Sequence, residues 1–172
     1  MKQKIFLVLL VVISISIQAQ DRAKCIEGDC ENGVGVSVGD SGIRYEGSFQ
    51  NGLKSGKGKQ IETNGNIYSG DWQNDFPNGK GTYKQTSGEK YTGSFIQGNY
   101  HGTGVLIFAN GDRYTGEFKK DKRSGYGSML YLSERRLYVG KWSKDKPHGT
   151  GVVYALTAAK SVKYSKGVLV TK

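Results

Sequence analysis

Few residues in this chain could do chemistry. Cys25 and Cys30 are the only cysteines, and His101 and His148 the only histidines. Cys-x4-Cys with no third cysteine or nearby histidine does not make a zinc site. Gly39-Asp40-Ser41-Gly42 has the letters of a serine-protease nucleophile loop. Gly52-Leu53-Lys54-Ser55-Gly56-Lys57-Gly58 resembles a phosphate loop one residue short. A nucleophilic serine needs a histidine and a carboxylate in line with it. A phosphate loop needs Ser or Thr after its lysine and a helix behind it. Among the carboxylates, Asp71 and Glu117 occupy matching contexts, but acid–base work needs both at one substrate atom. The elements that carry these residues decide whether any condition is met.

Those elements repeat. Tyr45, Tyr68, Tyr91, Tyr114 and Tyr138 are spaced 23, 23, 23 and 24 residues apart. Each opens the phrase Tyr-x-Gly-x-aromatic, closing on Phe49, Trp72, Phe95, Phe118 and Trp142. A Gly-x-Gly follows each time, at Gly56/Gly58, Gly79/Gly81, Gly102/Gly104, Gly125/Gly127 and Gly149/Gly151, with Gly33/Gly35 as half a unit before them. A further glycine recurs at Gly42, Gly65, Gly88 and Gly111. Alternation along Tyr-x-Gly-x-aromatic puts the marked residues on one strand face. Asn64-Gly65 and Asn110-Gly111 read as tight hairpin turns, and Gln73–Asn78 as a longer polar loop between the strands of one unit. About eleven or twelve antiparallel strands are expected.

Repetition removes the catalytic candidates. Ser41-Gly42 falls in the turn position of Asn64-Gly65, and the phosphate-loop letters recur as ordinary unit sequence with no helix after them. His101 and His148 stand two units apart, roughly 19 Å at the spacing of neighbouring strands, too far to share a metal. Asp71 and Glu117 are likewise two units apart. No catalytic residue, metal or cofactor and no small-molecule substrate is expected.

The chain of 172 residues carries 26 Gly, only 2 Pro and a formal charge of +10. Met1-Lys2-Gln3-Lys4, the apolar run from Ile5 to Ile13 and the small residues Ser14, Ser16 and Ala19 have signal-peptide architecture. Cleavage near Ala19 would leave a secreted or periplasmic chain, with an uncleaved anchor as the alternative. Arg22-Ala23-Lys24 before Cys25 is no lipobox. In an oxidising compartment Cys25 and Cys30 are expected to pair as a local disulfide, in preference to two free thiols.

Gly-rich, aliphatic-poor composition argues against an ordinary core. Rings laid across the sheet would replace it, with Gly-x-Gly on the adjacent strand as the bare track beneath them. The ring face of Tyr45, Phe49, Tyr68, Trp72, Tyr91, Phe95, Tyr114, Phe118, Tyr138 and Trp142 is then core, or else an exposed binding stripe. Positive charge is the other signal. Lys54, Lys57, Lys59, Lys119, Lys120, Lys122, Arg123, Lys141, Lys144 and Lys146 are expected in or beside inter-strand loops along one edge. Such an edge would attract anionic lipid or glycan. Export makes nucleic acid a poor partner.

The combined phrases, carried nearly whole by Tyr91–Gly111, resemble the MORN (membrane occupation and recognition nexus) repeat. That resemblance implies an all-β fold: an elongated, single-layer antiparallel meander of stacked β-hairpins, without catalytic residues. It further implies scaffolding, oligomerisation or membrane-proximal binding. The expected organisation is a signal peptide over 1–19, a disulfide-bearing cap over 20–31, repeats over 32–154, and a degenerate capping repeat over 155–172. There Tyr164 is read in the place of the unit-opening tyrosine, with Lys166 where its glycine belongs. A non-enzymatic exported interaction or scaffold module, engaging a protein partner or itself, is the expected function. An envelope or anionic-surface binder is the alternative.

Overall fold

Two kinds of turn alternate through the repeats, and both depend on residues that tolerate positive φ. The computed structural model describes residues 23–155 and 158–170; the expected leader lies outside them. Asn51-Gly52, Asn74-Asp75, Gln97-Gly98, Lys120-Asp121, Lys144-Asp145 and Lys166-Gly167 each have positive φ at both residues. That is the type I′ geometry whose twist matches the flanking strands. The segment Gln73–Asn78, expected as a polar loop, is therefore a two-residue turn with strand on both sides. Asn64-Gly65 belongs to the wider kind. Gly65 N–H donates to Glu62 C=O and Glu62 N–H to Asn66 C=O, a type I turn closed by a left-handed glycine. The tight and the wide turns are thus interchanged relative to the expectation. In the fourth unit, one residue longer, Arg135 takes the left-handed position.

Between the turns run β1 (Lys24–Gly28), β2 (Val34–Val38), β3 (Arg44–Gln50), β4 (Leu53–Ile61), β5 (Ile67–Gln73), β6 (Phe76–Lys84) and β7 (Lys90–Ile96). The second half comprises β8 (Asn99–Ile107), β9 (Arg113–Lys119), β10 (Lys122–Tyr131), β11 (Arg136–Ser143), β12 (Lys146–Ala155), β13 (Ala158–Ser165) and β14 (Val168–Leu169). They form one antiparallel sheet in chain order, with no helix among the described residues. Fourteen strands exceed the expected eleven or twelve because the cap contributes β1 and the C-terminal segment closes as the hairpin β13–β14.

Pairing register explains the glycines. Gly35, Gly47, Gly58, Gly70, Gly81, Gly93, Gly104, Gly116, Gly127, Gly140 and Gly151 are successive cross-strand partners, a row across eleven strands that ends at Val162. Each unit-opening tyrosine lies flat over its own glycine and the facing one. A Cβ on Gly104 would stand 2.5 Å from Tyr91 Cε2. Only the second glycine of Gly-x-Gly serves as bare track. The first, such as Gly102 at φ +59, sits beside a register shift and supplies a backbone bend. This corrects the expectation that both lie under rings.

Each tyrosine hydroxyl then reaches a backbone carbonyl three residues on, as Tyr68 to Asp71 at 2.8 Å and Tyr91 to Ser94 at 2.9 Å. Its ring meets the closing aromatic of its own unit and that of the next, edge to face. Tyr91 contacts Phe95 at 5.1 Å and Phe118 at 5.0 Å between centroids. The zigzag continues from Phe49 through Tyr138 and Trp142 to Tyr164. Edge-to-face pairs contribute roughly 0.5–1.5 kcal/mol each beyond burial. Because the contacts alternate within and between units, no unit completes its core alone. Tyr164 pairs with Gly149, as Trp142 does with Gly125. It therefore holds the closing-ring position, not the opening one, and Lys166-Gly167 is the ensuing turn.

The two-residue turns are also stitched to the preceding unit. Asp75, Asp121 and Asp145 accept, through Oδ1, the backbone N–H of Lys54, Tyr100 and Arg123. Their own N–H groups donate to the carbonyls of those same three residues. Cys25 and Cys30 are joined by a disulfide beside the β1–β2 turn, at the edge of the sheet.

Candidate binding face

Strand alternation gives the sheet a ring face and an outer face. On the ring face the ten repeat aromatics are all buried, with Tyr91 and Tyr114 fully so. They make the core, which settles the choice left open by their spacing: they are not an exposed stripe. Burial raises the hydroxyl pKa of Tyr45, Tyr91 and Tyr138 to about 12. It also raises those of Tyr68, Tyr100 and Tyr114.

What this face offers to a ligand comes from the strands that alternate with the ring-bearing ones. Opposite the closing rings stand Lys54, Pro77, Tyr100, Arg123 and Pro147. Opposite the tyrosines stand Gln60, Tyr83, Leu106, Met129 and Val153. The frame is constant while these positions vary between units, with proline at two of them, and Leu106 and Met129 are buried with the rings. A cleft crosses the second and third units here, lined by Glu62, Pro77, Tyr83, Glu89, Tyr100 and Asp121, among others. Tyr83 donates to Glu62 at 3.1 Å and Tyr100 stacks on Tyr91 at 3.7 Å. None of these six was singled out from the sequence. For Pro77, Tyr83 and Tyr100 a signal was present all the same, since they fill strand positions that vary between units, whereas Glu62, Glu89 and Asp121 lie in turns and carried none.

The ten cationic residues do not share one edge. Lys119, Lys120, Lys122, Lys144 and Lys146 lie in or beside two-residue turns, where Asp121 and Asp145 accompany them and Lys122 pairs with Asp145 at 3.1 Å. Lys54 and Arg123 lie on the ring face over aromatic rings. Lys57, Lys59 and Lys141 lie mid-strand on the outer face, Lys57 paired with Asp71 and Lys141 over Tyr126. The cause is the turn length: strand resumes two residues after each turn, so positions read as loop alternate between faces. The outer face also holds Lys84 and Lys90 directly opposite each other, beside Lys59, Ser69 and Thr82.

Among the described residues no group of His, Cys, Asp and Glu is arranged to hold a metal, and no helix is long and apolar enough to cross a membrane. Gly39, Ser41 and Gly42 form a turn, in which Gly42 N–H donates to Gly39 C=O. Asp71 and Glu117 cap backbone N–H groups of the neighbouring strands, at Lys80 and Tyr126.

A sheet of stacked hairpins with a ring-and-glycine core defines a β-repeat protein. The MORN repeat family profile matches residues 45–67, 68–90, 91–113, 114–131 and 138–154, more than half of the chain. The chain belongs to the MORN repeat family. Members of that family are generally non-enzymatic, and its repeats are consistent with modules for protein or membrane interaction. No curated protein matches the chain. Among solved structures it is similar to the SAS-4 (dCPAP) TCP domain of Drosophila melanogaster, solved in complex with a proline-rich motif of Ana2 (dSTIL). Identity is 15%, coverage 87% of this chain and 90% of that one, and the TM-score 0.48.

Proposed function

We propose that the protein is a non-enzymatic, exported interaction module whose ring face engages a protein partner. One observation supports this above the others: beside a uniform buried frame, the half-buried ring-face positions Lys54, Gln60, Pro77, Tyr83, Tyr100 and Arg123 vary in size and charge between units. Units that served only stacking would have no use for that variety. Export rests on the basic, apolar and small-residue order of residues 1–19. An intact mass beginning at Met1 in the recovered protein would overturn cleavage. For the face itself, a photo-crosslinking residue at Gln60, with Thr92 on the outer face as control, is placed in the full chain in its own cells. A defined adduct is expected from Gln60 alone. Adducts from Thr92 alone, or from neither, would sink the reading.

The outer face supports a second reading, attachment to an anionic lipid or glycan surface. Lys84 and Lys90 face each other directly, an unfavourable like-charge pair that an external anion would relieve. Co-sedimentation with anionic vesicles at low salt, lost at about 0.5 M salt, is the expected result. Equal binding to neutral vesicles would count against it.

A further inference from the structure

The position opposite the closing ring is filled in two ways that differ in charge. In the first unit Lys54 Nζ sits 5.3 Å from the centroid of Tyr45 and 5.1 Å from that of Trp72. In the fourth, the Arg123 guanidinium sits 4.6 Å from Trp142 and 5.7 Å from Tyr114. Each cation thus rests on a unit's tyrosine and on the next unit's tryptophan, where the negative face of a ring attracts it. In the second and third units the position holds Pro77 and Tyr100, and neither carries a charge.

The cleft over those two units has carboxylates instead. Glu62, Glu89 and Asp121 line it, with Tyr68, Tyr83, Phe95 and Tyr100, and no lysine or arginine is among its walls. Among the described residues none of the three carboxylates forms an ion pair. Neutral groups hold them in place: Tyr83 hydroxyl and Asn66 amide on Glu62, Gln85 amide on Glu89, Tyr100 backbone N–H on Asp121. The uncompensated charge is felt locally. Burial raises the hydroxyl of Tyr100, and Glu89 and Asp121 add to the rise. Tyr83 is raised by burial too, with a further contribution from Glu62.

We infer that this cleft receives lysine or arginine side chains from an extended basic segment of the partner, seated as Lys54 and Arg123 are seated in the flanking units. The inference rests on the ring face being the binding face and specifies what that face recognises. Anions and rings on one side, cations on the other, are complementary. The chain's positive net charge opposes a basic partner at long range. Salt confines that opposition to roughly 8 Å, inside which the three carboxylates act. An apolar, proline-rich segment could stack on the same rings without using the carboxylates, and it is the competing outcome.

The test uses the full chain and a fluorescent eight-residue peptide alternating Arg and Ser, with Glu and Pro counterparts, followed by anisotropy. The Arg peptide is expected to bind and the Glu peptide not to bind. The isosteric triple variant Glu62→Gln, Glu89→Gln, Asp121→Asn should weaken the Arg peptide at least tenfold. Pro77→Lys places the first unit's own residue in the cleft. It should also cost at least tenfold, by occupying the seat, with Tm unchanged or raised. Glu46→Gln on the outer face should change nothing. Equal affinity for the Pro peptide, or an Arg peptide indifferent to the triple variant and to Pro77→Lys, would overturn the inference. An adduct captured from Gln60 while the Arg peptide fails to bind would leave the ring face a binding face, for a partner of other chemistry.

Discussion

Gly104→Ala is expected to cost about 3–5 kcal/mol, the scale of losing a buried aromatic side chain. One added methyl has that effect because of where it lands. A Cβ on Gly104 would stand 2.5 Å from both Cε2 and Oη of Tyr91, and 2.6 Å from Cζ. The ring cannot slide aside. Its hydroxyl is bonded to Ser94 C=O at 2.9 Å, Phe95 and Phe118 abut it edge-on, and Tyr100 stacks on it at 3.7 Å. To admit the methyl, Tyr91 must leave its place and break the zigzag in the middle of the sheet. Gly98→Ala is the control. That residue has φ +79 and open space around its missing side chain, so the change costs only the left-handed backbone penalty, about 1 kcal/mol. Urea unfolding measures both. Equal losses would show that the rings do not rest on the glycine row.

Alkaline pH is expected to unfold the sheet between about pH 10 and pH 12. Burial raises Tyr45, Tyr91 and Tyr138 from 10.0 to about 12. A group whose folded pKa is raised contributes stability that is fully present below its unfolded value. That stability is lost as pH climbs through the folded one. Each tyrosine forced to ionise then costs on the order of 2 kcal/mol. Because every ring touches rings of two units, ionising one loosens its neighbours, and the transition should be cooperative. Absorbance of tyrosinate and near-ultraviolet circular dichroism should change together. The readout uses a Tyr126→Phe, Tyr154→Phe variant, which lacks the two exposed tyrosines; tyrosinate appearing near pH 10 in it with the dichroism intact would mean that the rings are not buried as described.

The all-β meander was legible because its cause is periodic. Tyr-x-Gly-x-aromatic every 23 or 24 residues states both the alternation of a strand and the need for the next unit. The disulfide between Cys25 and Cys30 was equally local. Misreadings arose where one residue type serves two turns. Asn-Gly suits a type I′ pair, as at Asn51-Gly52, and also the last two residues of a wider loop, as at Asn64-Gly65. Only the pairing distinguishes them. Interchanging the two turns moved Lys54, Lys57 and Lys59 from an imagined loop into β4, where alternation sends Lys54 to one face and its neighbours to the other. Tyr164 was misplaced for a related reason, since its unit has lost both glycines that mark register.

By itself the sequence determined the repeat, the strand content and the need for glycine beneath rings. These follow from local spacing, which backbone sterics convert directly into strands and turns. Tertiary structure alone decided that the repeat aromatics are core, that the cations divide among three locations, and that Glu62, Glu89 and Asp121 meet in one cleft. Those residues lie up to 59 positions apart. Only cross-strand register, summed over several hairpins, brings such distant positions together, and register rests on two-residue turns that the sequence writes ambiguously.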